Sequence, residues 1–185
     1  METQTQPQTV NGLDVEQLNE TIEAMQQQPS LGECQFRARG RWFDGGHNRT
    51  TISGFYGAGE EHERREPFVL DKDEPPVLQG KDIAANPVEY ILAALAGCTT
   101  TSMAYHAAAH GIDIEAIETE LEGDLDLRGF LNLSPDARRG YDGIRVKYKV
   151  KSDADAETLR EFLALSPVLD IITNPTPVAI EVEKV

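Results

Sequence analysis

Between residues 86 and 110 the chain reads NPVEYILAALAGCTTTSMAYHAAAH, an almost unbroken run of apolar and small side chains. No other stretch constrains the fold as strongly. Asn86 is a natural N-cap, and Pro87 suits the first helical position, where a missing N–H breaks no bond. Glu89 sets a negative charge in the first turn, against the positive end of the helix dipole. Gly111 follows as the residue that can take the left-handed conformation closing a helix. These signals predict a helix of about 24 residues, roughly 36 Å long at 1.5 Å per residue. It is nearly apolar all round, so it is expected to be buried on most sides, and its alanines permit close approach to a neighbour. Glu89, His106 and His110 are ionisable and caps bound both ends. This is therefore the central helix of a globular fold and not a membrane span.

The flanks read as strands and shorter helices. Residues 34–56 alternate, with Arg37, Arg39 and Arg41 on one face and Ala38, Gly40 and Trp42 on the other. Asp44-Gly45-Gly46 signals a turn, and residues 50–55 return as a partner strand. Residues 60–66 are charged and read as an exposed loop, 67–71 as a short strand, and Asp73-Glu74-Pro75-Pro76 as a rigid connector. After the central helix come two long strands. Ile117, Thr119, Leu121, Gly123 and Leu125 alternate with acids in the first; Ile144, Val146, Tyr148 and Val150 alternate with bases in the second. Paired antiparallel, the two rows bring opposite charges together. The connection over 128–140 is long for a hairpin. A helix is expected from about 155 to 165, capped by Ser152 or Asp153 and ended by Pro167, with Leu159, Phe162 and Leu163 inward. Val178, Ile180 and Val182 mark a last strand. Residues 1–30 form an appendage with a flexible start and one short helix, capped by Asp14 and carrying Leu18, Ile22 and Met25 at helical spacing. The main domain covers 31–185, and the class is α+β.

Bulk properties exclude several functions. With 32 acidic against 17 basic residues the net charge is −15, a surface that repels nucleic acid and anionic membranes. The N-terminus has no basic and apolar leader, so the default is a soluble cytoplasmic protein. The two cysteines, Cys34 and Cys98, lack Cys-x-x-Cys spacing, and a structural disulfide is not expected in a chain with no export signal.

Chemistry has few candidate seats. Cys98 lies inside the central helix, and helical spacing sets Thr101, Ser102 and Tyr105 beside it, a stripe of hydroxyls able to donate to a thiolate. Buried cysteines are mostly inert, so catalysis and packing both stand as readings. His106 and His110 share a helix face and could supply two metal ligands, but no third is evident, so neither a metal nor a cofactor is expected. Glu89 points nearly opposite to Cys98, which suits helix-end stabilisation. The strand arginines read as a solvated or intersubunit face. No phosphate-binding glycine loop is present.

On these residues the chain resembles the OsmC/Ohr family (osmotically inducible protein C and organic hydroperoxide resistance). The segment from Asn86-Pro87 through Glu89 to Ala96-Gly97-Cys98 is similar to that family's helix motif, as are residues 106–112, Asp126-Leu127-Arg128-Gly129-Phe130, Ser166-Pro167-Val168 and Asn174-Pro175. The resemblance implies an intertwined homodimer, with antiparallel sheets from both chains wrapped around long central helices and sites at the subunit interface. It implies reduction of an organic hydroperoxide by Cys98 at the expense of a thiol, assisted by an arginine from the first hairpin and a glutamate at the helix start. Arg49 is the best match for the arginine, with Arg41 and Arg39 behind it, and Glu89 stands one position from the family's glutamate, at which this chain has Val88. Where the family carries a second cysteine this chain has Ser166. Two functions remain: a one-cysteine thiol peroxidase, or a non-catalytic small-molecule binder or redox sensor on the same scaffold.

Overall fold

The computed structural model describes residues 9–185; the flexible start expected before residue 9 lies outside them. Two compact units emerge. One comprises Thr9 and Leu13–Ile91, the other Val10–Gly12 and Leu92–Val185. Mixed helix and antiparallel sheet bear out the α+β class.

The chain enters through a small hairpin, β1 (Thr9–Val10) and β2 (Leu13–Asp14). Helix α1 (Val15–Gln27) follows, with the Asp14 carboxylate accepting from the Gln17 N–H at 3.1 Å, as its sequence signal predicted. The first sheet has four strands: β3 (Gln35–Phe36), β4 (Arg39–Asp44), β5 (His47–Gly57) and β6 (Glu60–Lys72). Strand β5 is central. Thr51 stands opposite both Arg39 and Val69, and Phe55 opposite both Phe36 and His62, so β3 and β4 share one edge and β6 takes the other.

The loop expected over 60–66 is instead the first half of β6. Its register against β5 runs from Gly57↔Glu60 to Gly54↔Glu63. The His62 ring stacks on Phe55 at 4.7 Å and bonds the Gly57 carbonyl at 2.9 Å. Charged side chains are what an edge strand carries on its solvated side, so composition misreads this segment as loop.

Helix α2 (Pro87–Ala109) holds both predicted caps. The Asn86 side chain accepts from the Glu89 N–H at 2.9 Å while the Glu89 carboxylate accepts from the Asn86 N–H at 2.8 Å, a reciprocal capping box. At the other end Gly111 takes φ 69°. The Gly111 N–H bonds Ala108 O at 2.9 Å and the Ile112 N–H bonds Ala107 O at 2.8 Å, the Schellman closure.

Burial of α2 is one-sided, contrary to the expectation from its composition. Leu95, Thr99, Ser102, Met103, Ala107 and Ala108 are buried, while Ala93, Ala94, Gly97, Thr101 and Tyr105 are exposed. Met103 and Ala107 form the core of the second unit with Leu159 and Phe162.

Strands β7 (Ile114–Leu125) and β8 (Tyr141–Ser152) pair antiparallel in the predicted charge register: Glu118↔Lys149, Glu120↔Lys147 and Glu122↔Arg145. Lys149 reaches Glu120 at 3.4 Å and Lys147 reaches Glu120 at 3.8 Å. These pairs are exposed, so each contributes little and is screened by salt. Lys147→Glu is expected to destabilise by about 0.2–1 kcal/mol, with Glu120→Lys in the same chain recovering most of it. A double-mutant cycle by urea unfolding measures this coupling; purely additive losses would show that the ladder is decorative.

Four details of the C-terminal half differ from expectation. The 128–140 connection opens with a single helical turn, α3 (Leu127–Phe130). Helix α4 (Ala156–Ala164) is capped by Asp155, which accepts from the Glu157 and Thr158 N–H groups, and not by Ser152 or Asp153. The Ser152 hydroxyl is engaged elsewhere, donating to Asp113 O at 2.7 Å. Pro167 does not merely end a helix; it starts α5 (Pro167–Thr173), where Ser166 is the cap and a proline is free to stand at the first position. Finally, residues 178–182 form no strand within this chain. Val178, Ile180 and Val182 are 78%, 84% and 85% exposed. The alternation is there, but a strand needs a partner edge.

Candidate functional site

Cys98 sits near the middle of α2, in the second unit, as a free, half-buried thiol. Its predicted neighbours are only partly where periodicity set them. Ser102 is buried, Thr101 and Tyr105 face solvent, and among the described residues no hydrogen bond reaches the sulfur. The engaged hydroxyl is the next residue. Thr99 is 3% exposed, donates to Leu95 O at 2.6 Å and makes a close hydroxyl contact with Tyr148 of β8. That contact ties the helix to the sheet one residue past the thiol. Sequence spacing hides it, because Tyr148 lies 49 positions away.

The other candidates lie in the first unit. Glu89 is committed to the capping box, in line with a helix-end role. Arg49 forms a two-pronged pair with Asp71, Nε to Oδ1 at 2.8 Å and Nη2 to Oδ2 at 3.0 Å. Asp71 also bonds His47 Nε2 at 3.2 Å. The Arg49 guanidinium, then His47, hold the Asp71 carboxyl below its ordinary range. Arg41 stands directly across the strand from Arg49, and both guanidiniums lie over the Phe43 ring, at 5.5 and 5.4 Å. Arg39 and Arg41 pair with no carboxylate among the described residues.

Just after β6, Asp73 is 1% exposed. Burial alone would raise its pKa, but the backbone N–H groups of Glu74, Ile83 and Lys81 outweigh it and hold the carboxyl below its ordinary value. A depressed carboxylate stabilises the fold above the unfolded value of about 3.9 and loses that contribution as pH falls through the folded value. Asp71, Asp124, Asp126 and Asp155 share the direction, so acid loss is collective. Asp73→Asn is expected to flatten the fall in stability below about pH 4. Parallel acid titrations of wild type and variant, followed by circular dichroism, check it; superimposable curves would remove Asp73 from the account.

Cys34 is free and exposed in the first unit. Ser166 is 1% exposed and caps α5 by accepting from the Leu169 N–H at 3.3 Å. His106 and His110 flank the Phe162 ring at 6.0 and 5.2 Å. Among the described residues no three His, Cys, Asp or Glu side chains gather to hold a metal ion. A cavity of about 650 Å³ opens in the second unit, lined by Leu95, Thr99, Met103, Tyr148, Leu159 and Leu163. Cys98 does not line it. No helix among the described residues is long and apolar enough to cross a membrane.

A long capped helix bearing a mid-helix cysteine, with antiparallel sheets before and after it, defines the OsmC-like class of fold. The comparisons agree. The family model for OsmC-like proteins matches residues 79–181, more than half of the sequence, and the chain belongs to that family. Among solved structures it is similar to an OsmC-like protein from Mycoplasma pneumoniae, at 14% identity and TM-score 0.52, covering 76% of this chain and 89% of that one. It is also similar to an organic hydroperoxide resistance protein, OsmC, from Legionella pneumophila, at 20% identity and TM-score 0.50, covering 75% and 88%. At these identities the likeness is one of fold. No curated protein matches the chain.

Proposed function

We propose that this protein is a thiol-dependent peroxidase working through one reactive cysteine, Cys98, in a homodimer. The carrying observation is the pair of facts at the two family cysteine positions: Cys98 is a free, half-buried thiol, and Ser166 is a buried helix cap. The scaffold keeps the attacking sulfur and gives the second position a structural task. In this reading the Cys98 thiolate attacks one oxygen of an organic hydroperoxide and the O–O bond breaks. The alcohol leaves with a proton, and Cys98 becomes a sulfenic acid. A small thiol then attacks that sulfur, releasing water and forming a mixed disulfide. A second thiol restores Cys98 and carries off the disulfide. Arg49, held in place by Asp71, is the assisting cation, with the guanidiniums of Arg41 and Arg39 beside it; Glu89 fixes the helix start.

The dimer rests on unsatisfied surfaces. No apolar side chain of the four-stranded sheet is buried, and α2 leaves a face of small residues exposed. The C-terminal alternation has no strand beside it. Edge strands β4 and β7 carry opposite charges, Arg39 and Arg41 against Glu118, Glu120 and Glu122, so a second copy can join edge to edge.

The test is peroxide consumption by the purified full-length protein with a dithiol. Wild type is expected to turn over, Cys98→Ser to fall to background, and Cys34→Ser to stay active. Equal rates for wild type and Cys98→Ser would end the proposal. The apolar cavity favours a second reading, a binder of small apolar ligands without turnover. Native mass spectrometry with a retained ligand, together with inactive wild type, would select it.

A further inference from the structure

The turn between β1 and β2 is Asn11-Gly12, with φ 54° and 78°, the left-handed pair of a two-residue hairpin. Its side chain reaches about a hundred positions along the sequence. Asn11 Nδ2 donates to Ala104 O at 3.2 Å and Ile112 O at 3.0 Å, and Asn11 Oδ1 accepts from the Ile114 N–H at 2.7 Å. Two donors and an acceptor on one planar group is the pattern of a primary amide and of no other side chain this small. The partners span the last turns of α2, the residue after its closing glycine and the first residue of β7. The amide therefore latches the helix-to-strand junction.

We propose that Asn11 is a covalent modification site, at which hydrolytic deamidation releases this latch in one direction. The Gly12 backbone nitrogen gives its proton to a base in the solvent and attacks Asn11 Cγ. The new C–N bond forms, the Cγ–Nδ2 bond breaks, and the side-chain nitrogen leaves as ammonia with the proton. The five-membered imide is opened by water at either carbonyl, giving aspartate or isoaspartate. One water is consumed, one ammonia is released, and no electrons change hands. Glycine at position 12 removes the side chain that would hinder the attack and lets the backbone bend into it.

Neither product remakes the latch. A carboxylate only accepts, so it would set an anionic oxygen against the Ala104 and Ile112 carbonyls. Isoaspartate adds a carbon to the main chain of a two-residue turn. The intact amide, in turn, restrains Cγ while its three bonds hold. The reaction proceeds from the opened turn, and its rate reports how often the turn opens.

The full-length protein is incubated in mildly alkaline buffer, native and in urea, and the peptide holding Asn11 is followed by mass spectrometry. The amide-to-acid mass change is expected at Asn11 in both, at least about tenfold slower in the native protein. In unaged protein Asn11→Asp should raise amide hydrogen exchange at Ile114 about tenfold or more. Asn11→Gly keeps the left-handed turn, removes the amide, and should raise that exchange equally with no mass change at position 11. Equal native and unfolded rates, no conversion at Asn11 in urea, or unchanged Ile114 exchange in Asn11→Asp would each overturn the proposal.

Discussion

A chain ended after Asn174 is expected to lose the homodimer proposed for the full-length protein. Residues 178–182 set Val178, Ile180 and Val182 on one side of an extended segment, each more than three-quarters exposed in a single chain. Left in water, three aliphatic side chains forfeit about 1.5 kcal/mol or more apiece, and burying them against a second copy recovers it. Glu181 and Glu183 fall on the other side, which suits the edge of β8, whose cations are Arg145, Lys147, Lys149 and Lys151. Edge addition to β7 would instead align acid with acid. Loss of the segment should weaken dimerisation by at least about a hundredfold, read by light scattering over a concentration series. Ile180→Lys is the sharper version. At 84% exposure it should be silent if the segment stays in water. It should mimic the deletion if the segment is a strand in the dimer. A dissociation constant unchanged in both variants removes this segment from the interface.

The second large effect is expected at Phe162. Its side chain, 6% exposed, is the largest member of the small core that joins α4 to α2 through Met103, Ala107 and Leu159. The rings of His106 and His110 close around it. Phe162→Ala removes that packing and leaves a cavity the neighbours cannot fill, at about 3–5 kcal/mol. Total stabilities of single domains run to about 5–15 kcal/mol, so this loss alone brings the protein close to unfolding. Phe162→Leu retains most of the volume and should cost much less. Chemical denaturation of the three proteins at one concentration gives the comparison. A near-neutral Phe162→Ala would mean that the stability of the second unit resides elsewhere.

The candidate site was legible in parts that differ in kind. Cys98 stands out because it interrupts an apolar helix, and Ser166 only through the family resemblance, which sets a second cysteine before the proline. The engagement of Arg49 by Asp71 was not legible, since it depends on β6 lying beside β5 with Asp71 directly opposite. Its charges make the segment over 60–66 resemble a loop, and the same charges are what keeps an edge strand soluble. Which hydroxyl of α2 is engaged is hidden for a similar reason. Helical spacing names the residues that share a face but not the face that the sheet covers. That choice buried Thr99 against Tyr148 and left Thr101 in water.

Local rules alone settle where α2 starts and stops, that Asp14 caps α1, and that β7 meets β8 with acids against bases. Capping, turn chemistry and cross-strand charge act between residues a few positions or one strand pairing apart, so the chain carries them openly. Tertiary structure alone decided that only one side of α2 is covered within a chain, that residues 178–182 find no strand beside them among the described residues, and that Asn11 fastens the end of α2 to β7. Each of these turns on what a distant segment brings into contact, and that information resides in packing and not in any window of sequence.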